Sequence, residues 1–262
     1  MTNAALHVAR TGLDAQNERM RVIANNLANV NTTGFKRDRA SFETLAYQAM
    51  TAPGAPSSAD NRYATGLSLG SGVRIASTER IDTQGTLQQT ENALDMAIEG
   101  NGFFQVQMPD GTTGYTRAGN FSMNAEGTLV SSDGKPLIPQ IQIPEGASKI
   151  TIGADGTVSA TVPGAAEATE LGRIETARFA NPTGLESLGG NVLKETAASG
   201  AAQVGQAGIE GRGAIRQGSL EGSNVNTVEE LVDMIETQRA YEVNSKMIKA
   251  TDEMLQYVNQ QI

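Results

Sequence analysis

Polar and apolar residues recur with helical spacing at both ends of the chain and with period two between them. Leu6, Ala9, Leu13, Gln16, Met20, Ile23, Leu27 and Val30 follow a 3,4,3,4 spacing with a single polar member, the seam of a helix that packs on other helices. This predicts an N-terminal helix ending near Asn31 to Gly34, where Asn and Gly suit a left-handed cap. Near the other end, Asn226 or Thr227 is placed to cap a second helix, with Glu229 or Glu230 three residues on. Met234, Tyr241, Ile248, Leu255 and Ile262 then recur every seven residues, beside a second stripe of Ala240, Val243, Met247, Ala250, Met254 and Val258. One partner helix covers a narrower seam than this, so the C-terminal helix is expected to meet both its N-terminal counterpart and neighbouring chains. A helix of this kind buries too little by itself to offset the backbone entropy of ordering it. Ends that order fully only on assembly are therefore one reading, and a two-helix hairpin packed on the central domain is the other.

Between the helices the period drops to two, as in Leu94, Met96, Ile98 and in Phe104, Val106, Met108. Turn signals recur at Pro109-Asp110-Gly111, Glu126-Gly127, Asp133-Gly134, Pro144-Glu145-Gly146 and Asp155-Gly156, with short runs such as Ile150 to Ile152 and Thr157 to Val162 between them. The middle reads as an antiparallel β domain, with Gly72 to Ile81 leading into it and Ala207 to Leu220 returning from it. All eight prolines and 27 of the 29 glycines fall between Pro53 and Gly222, so the termini and the middle are built differently. Thr51 to Gly72 is poor in apolar residues and rich in Pro, Ser, Ala and Gly, the composition of a linker or a long exposed hairpin. The fold class is thus α+β, with terminal helices forming a discontinuous, coiled-coil-like inner domain around an antiparallel β-rich centre.

Charge and candidate chemistry narrow the function. Net charge is -9, against the basic face that a nucleic-acid partner requires. Residues 1–50 hold six Lys/Arg and four Asp/Glu, net +2, and residues 221–262 hold three and eight, net -5. The ends are complementary in sign, and are expected to pair in an assembled core. The chain has no cysteine, which excludes disulfides, thiolate metal sites and cysteine nucleophiles. Its one histidine, His7, has no second His for a metal cage or triad, so a surface or interface role is favoured. No phosphate loop is present, and Gly208, Gly211 and Gly213 have the wrong order for a dinucleotide fingerprint. Asp110, Asp133 and Asp155 sit in turns, where Asp bonds its own backbone, rather than in a pair suited to sugar hydrolysis or the spacing of a calcium loop. No cofactor, metal or catalytic residue is expected. The start of the chain lacks a secretory signal pattern, and no run approaches a membrane span.

Three blocks carry a resemblance. ANNLANVNTTGFKR (Ala24 to Arg37), preceded by TGLDAQNERMRVI, resembles the N-terminal signature of the bacterial flagellar axial proteins, the family that builds rod, hook and hook-associated segments. SNVNTVEELVDMIETQRAYEVNSKMIKATDEMLQ (Ser223 to Gln256) resembles its C-terminal counterpart, and Asp95 to Val130 looks like the central block of rod and hook proteins. Chain length and YQAMTAPGAPSSADNRYATGLSLGSGV (Tyr47 to Val73) are similar to the distal-rod members. A proximal rod or hook protein of the same family is the nearer alternative, and a periplasmic peptidoglycan-binding or -cleaving protein the more distant one.

The resemblance implies a helical inner domain from residues 1–35 and 222–262, a connecting region with a long hairpin from 36–80 and 208–221, and a β-rich outer domain from 81–207. It implies a rigid helical tube that transmits torque from motor to hook and forms the export channel. Export would run through the flagellar type III apparatus without a cleavable signal, and the rod would cross the periplasm in the basal body. The partners implied are further copies in a homopolymer, proximal rod proteins, hook protein, the P-ring and L-ring bushing and the rod cap, with no membrane insertion. The subunit interface is expected to use Leu6, Leu13, Met20, Ile23, Asn25, Asn26, Leu27, Asn29, Val30, Leu231, Met234, Ile235, Tyr241, Val243, Met247, Ile248, Met254 and Leu255. Buried amides at Asn25 and Asn26 are expected to bond between chains and set register, whereas Asn29 and Asn31 equally suit a helix end. Tyr47, Pro53, Pro56, Tyr63 and Leu67 belong to the segment expected to stiffen the tube.

Overall fold

The computed structural model describes residues 2–56, 62–147, 149–162 and 168–260. It is an α+β chain in which α1 (Thr2–Ala28) and α2 (Thr227–Gln260) flank a run of short strands. Two compact units form. One gathers the residues up to Ala28, Asp38–Glu79 and those from Asn226 on, and the other gathers Asn29–Arg37 and Arg80–Val225.

In the first unit α1 packs along α2. The α1 helix stops at Ala28, short of the expected Asn31 to Gly34, because the chain turns twice instead. Thr32 N donates to Asn29 O (3.1 Å) and Phe35 N to Thr32 O (3.2 Å). Val30, the last position of the expected seam, therefore lies beyond the helix. At the start of α2, Val228 N donates to Asn226 Oδ1 (3.1 Å), so Asn226 is a cap, as its side-chain chemistry favours. Asp38–Thr44 pairs with Val73–Arg80. Tyr47–Thr51 pairs antiparallel with Leu67–Gly70 in a separate two-stranded hairpin.

The second unit is built on one large antiparallel sheet. Its strands run in the order Glu186–Gly189, Val192–Lys194, Thr113–Thr116, Phe103–Gln107, Glu175–Arg178, Gln203–Gln206, with Leu137–Ile138 also pairing with Phe103–Gln107. Successive side chains on a strand leave opposite faces, and here both faces are covered. Phe104, Val106 and Val192 join a core with Met96, Ile98, Leu129, Ile141, Ile152, Val158 and Ile174. Phe103, Tyr115, Ala177 and Leu193 join a second core with Phe179 and Leu185. The expected alternation at Phe104 and Val106 captured one of these faces; Phe103 and Gln105 are buried too, on the other. The five Gly-containing turns expected between strands all carry a glycine with positive φ, at 111, 127, 134, 146 and 156.

Candidate assembly surface

The side of α2 turned toward α1 is small and polar. Glu230, Met234, Thr237, Ala240, Asn244, Ile248 and Thr251 are its less exposed positions, and at 100° per residue they share one sector of the helix. Gly12 of α1 lets the helices approach there; a side chain on it would come within 3.1 Å of Asn244 Nδ2. Arg19 Nη2 donates to Asp233 Oδ1 at 3.3 Å, each side chain more than a third exposed, a pair worth at most about 1 kcal/mol. Asn26 is buried. Its Nδ2 donates to Asp38 O (2.8 Å) and to both carboxylate oxygens of Glu230 (3.3 and 3.2 Å), and its Oδ1 accepts from Asp38 N (2.9 Å). The register bonding expected between chains at Asn26 is thus found inside one chain, where it ties α1 to the strand after it and to the first turn of α2.

The opposite side of α2 is exposed, and on it large apolar side chains stand among charged ones such as Glu236, Arg239, Glu242, Lys246 and Glu253. Val228, Leu231, Val232, Ile235, Val243, Met247, Met254 and Tyr257 are from 44% to 70% exposed, and they fall within a sector of about 160° at 100° per residue. Tyr241 is exposed at 42% but lies outside that sector. The wide apolar face read from the sequence therefore divides. Met234, Ala240 and Ile248 turn toward α1, and Val243, Met247 and Met254 turn to solvent. On α1, Ile23 is buried, Leu6, Leu13, Met20 and Leu27 are half-buried, and Asn25 is exposed; Asn29 and Val30, in the turn after the helix, are half-buried. The side chains of Leu255 and Val258, and Ile262 entirely, lie outside the described residues. Val228, Val232 and Tyr257 were missed, although their spacing from Ile235 and Met254 could have found them.

Further apolar exposure is concentrated on the hairpin. Tyr47, Met50, Leu67 and Leu69 lie on or between its paired residues, and Tyr63 follows at its tip; all five are 43% to 63% exposed. Pro53 and Pro56 are exposed in the connecting segment, where Tyr63 N donates to Ala55 O and Gly54 N to Tyr63 O (both 2.9 Å). A two-stranded hairpin is marginal alone in water, and large apolar patches mark interaction sites. His7 Nδ1, in the same unit, lies 3.2 Å from Ser71 O, which fixes the proton on Nδ1 because a carbonyl only accepts.

Among the described residues no group of three or more His, Cys, Asp or Glu is placed to hold a metal ion. None of their helices is long and apolar enough to cross a membrane.

Comparison with known proteins matches three family profiles. Residues 6–36 match "Flagella basal body rod protein", residues 97–160 "Flagellar hook protein FlgE/F/G D1 domain", and residues 216–261 "Flagellar basal body rod FlgEFG protein C-terminal". The flagellar basal-body rod protein FlgG of Buchnera aphidicola (subsp. Acyrthosiphon pisum) is 50% identical over 256 residues, 98% of each chain. Two proteins of Caulobacter vibrioides separate neighbouring members of this group. Its FlgG is 46% identical over 98% of each chain, and its FlgF is 35% identical over 95% of this chain and 94% of its own.

Proposed function

Because the chain belongs to the FlgG family of flagellar basal-body rod proteins, it is a structural component of the rod, and we propose that copies stack into the distal rod through the exposed apolar side of α2. The observation that carries this is the stripe from Val228 to Tyr257 opposite the α1 contact. A subunit that kept such a stripe wet would forgo about 25 cal/mol for each Å² of apolar surface left unburied. Burying it against sister helices lets each contact stay modest while many act together along a tube, and it is through such multivalent packing that torque would pass. Of the interface set expected from the sequence, the exposed members Leu231, Ile235, Val243, Met247 and Met254 belong to this proposal, as does the division into inner, connecting and outer parts.

The subunit assembles with other flagellar rod and hook proteins. The proposal extends the partners to the P-ring and L-ring bushing, the rod cap and the type III export apparatus, and assigns the subunit no catalysis. A blank zymogram on peptidoglycan is the expected result, and clearing would favour the wall-cleaving alternative. The exposed hairpin supports a second role, docking on a neighbouring copy so that the tube resists bending. Removing residues 48–69 is expected to give curved or flexible tubes by electron microscopy; tubes as straight as the parent would end that assignment.

Assembly itself is tested by sedimentation of the purified chain over a range of concentrations. Tubes above a critical concentration are expected. A chain that stays monomeric at every concentration, with both helices already rigid, contradicts the proposal.

A further inference from the structure

In the second unit, three stretches far apart in sequence are tied together. Gly34 N donates to Glu221 O (2.7 Å), Asn224 N to Phe35 O (3.4 Å) and Ile81 N to Arg37 O (2.9 Å). Asn224 bonds all three stretches: its Oδ1 accepts from Arg37 N (2.7 Å), and its Nδ2 donates to Ile81 O (2.7 Å) and Thr83 O (3.1 Å). At the centre sits a buried ion group. Lys36 Nζ donates to Glu221 Oε1 at 2.5 Å and to Thr83 O at 2.8 Å, and Arg117 Nε lies 3.6 Å from Glu221 Oε2. Gly85 N donates to Glu221 Oε1 at 3.0 Å. The three side chains are 4% (Lys36), 6% (Arg117) and 0% (Glu221) exposed. Two glycines are required by the close approach. At Gly34, with φ +68°, a side chain would run into the Arg117–Ala118 backbone, and at Gly85 into the carbonyl of Gly222.

We propose that this clamp folds with the β-rich unit independently of α1 and α2, and that it brings the C-terminal end of α1 and the N-terminal end of α2 together before they pair. Along the sequence, Ala28 and Thr227 are separated by about 200 residues. Through the Gly34–Glu221 bond the path is six residues on one side and six on the other. Loop closure scales as the three-halves power of length, so the clamp raises the effective concentration of one helix for the other roughly 70-fold. A buried carboxylate between two cations suits the task, because losing one partner leaves a desolvated charge unbalanced and the clamp opens as a whole. The inference does not depend on the rod assignment.

Hydrogen exchange read by mass spectrometry tests it, on the full chain held below its assembly concentration. Peptides covering residues 29–37 are expected to be protected to the same degree as those covering 96–107, whatever the state of the helices. In Glu221→Gln the protection of 29–37 and 81–86 is expected to fall at least about tenfold, peptides within 10–25 and 230–250 to lose protection with them, and 96–107 to stay unchanged. Exchange at 29–37 that matches the helices rather than 96–107 in the parent overturns the proposal, as does a variant in which 29–37 opens while the helices keep their protection. Asn224→Ala, which removes four side-chain bonds without touching a charge, is the second variant; if both variants unfold 96–107 as well, the clamp is not separable from the β core and the proposal fails.

Discussion

Asn26 has both ends of its amide occupied within its own subunit, with Asp38 and Glu230 as partners. Replacing it with Ala removes bonds from a buried position, one of them to a carboxylate. Hydrogen bonds to charged groups are worth about 1.5–3 kcal/mol, so Asn26→Ala is expected to destabilise the helix pair by about 2–4 kcal/mol in thermal melts followed by circular dichroism, with assembled tubes keeping their helical symmetry. A changed symmetry with unchanged stability would return the amide to an inter-chain role. A second residue reports on the β-rich unit. Burial, and then the nearby Glu195 carboxylate, push the Tyr115 phenol up from 10.0 to about 12. Its folded pKa lies above the unfolded one, so its contribution is intact below pH 10 and is lost as the pH climbs from 10 through about 12. Tyr115→Phe is therefore expected to lose less stability than the parent over that range in denaturant titrations, and equal losses would contradict the assignment. Neither residue's setting was legible locally. Asn26 looked like an amide on a helix because its partners lie 12 and 204 positions away, and the ion group of Lys36, Arg117 and Glu221 has no sequence pattern at all.

Both helices follow from apolar spacing, although α1 ends before Val30, the last position of its seam, and which stripe of α2 meets α1 does not follow. A seven-residue repeat favours the most apolar stripe as the seam, whereas Thr237, Asn244 and Glu230 are among the residues turned toward α1. Small and polar groups win that side because Gly12 and Asn26 offer close approach and hydrogen bonds there, which leaves the larger apolar side chains outside. In the strands the same limitation took another form, since a period of two marks one buried face and the Phe103–Gln107 strand has two. The Leu67–Gly70 strand falls within Thr51 to Gly72, legible only as a linker or hairpin, and its partner Tyr47–Thr51 lies almost wholly before that stretch, whose Pro- and Gly-rich composition carries no strand pattern. At this scale the test is a double substitution on the outer side of α2. Val243→Glu with Met247→Glu is expected to abolish tube formation by sedimentation while shifting the melting of the free chain by no more than about 0.5 kcal/mol. Loss of helix content in the free chain would instead place these residues in its own fold.

Across the whole molecule, sequence and structure divide the labour between the two units. The β-rich unit buries most of its large apolar side chains by itself: its cores cover both faces of the sheet, and the clamp closes three distant stretches. The helical unit does not, because its largest apolar side chains face outward on α2 and on the hairpin. In the proposed rod, a subunit so divided keeps a folded body and offers the exposed residues of α2 and of the hairpin to sister copies. The absence of cysteine from the chain permits a direct test. A single Met247→Cys substitution introduces one thiol on the outer side of α2, and its labelling by a maleimide is timed before and after assembly. The account predicts rapid labelling in the free chain and labelling slowed about tenfold or more in the tube, as a water-excluding interface requires. Equal rates in the two states would mean that this side of α2 stays wet in the assembled rod, and would contradict the account.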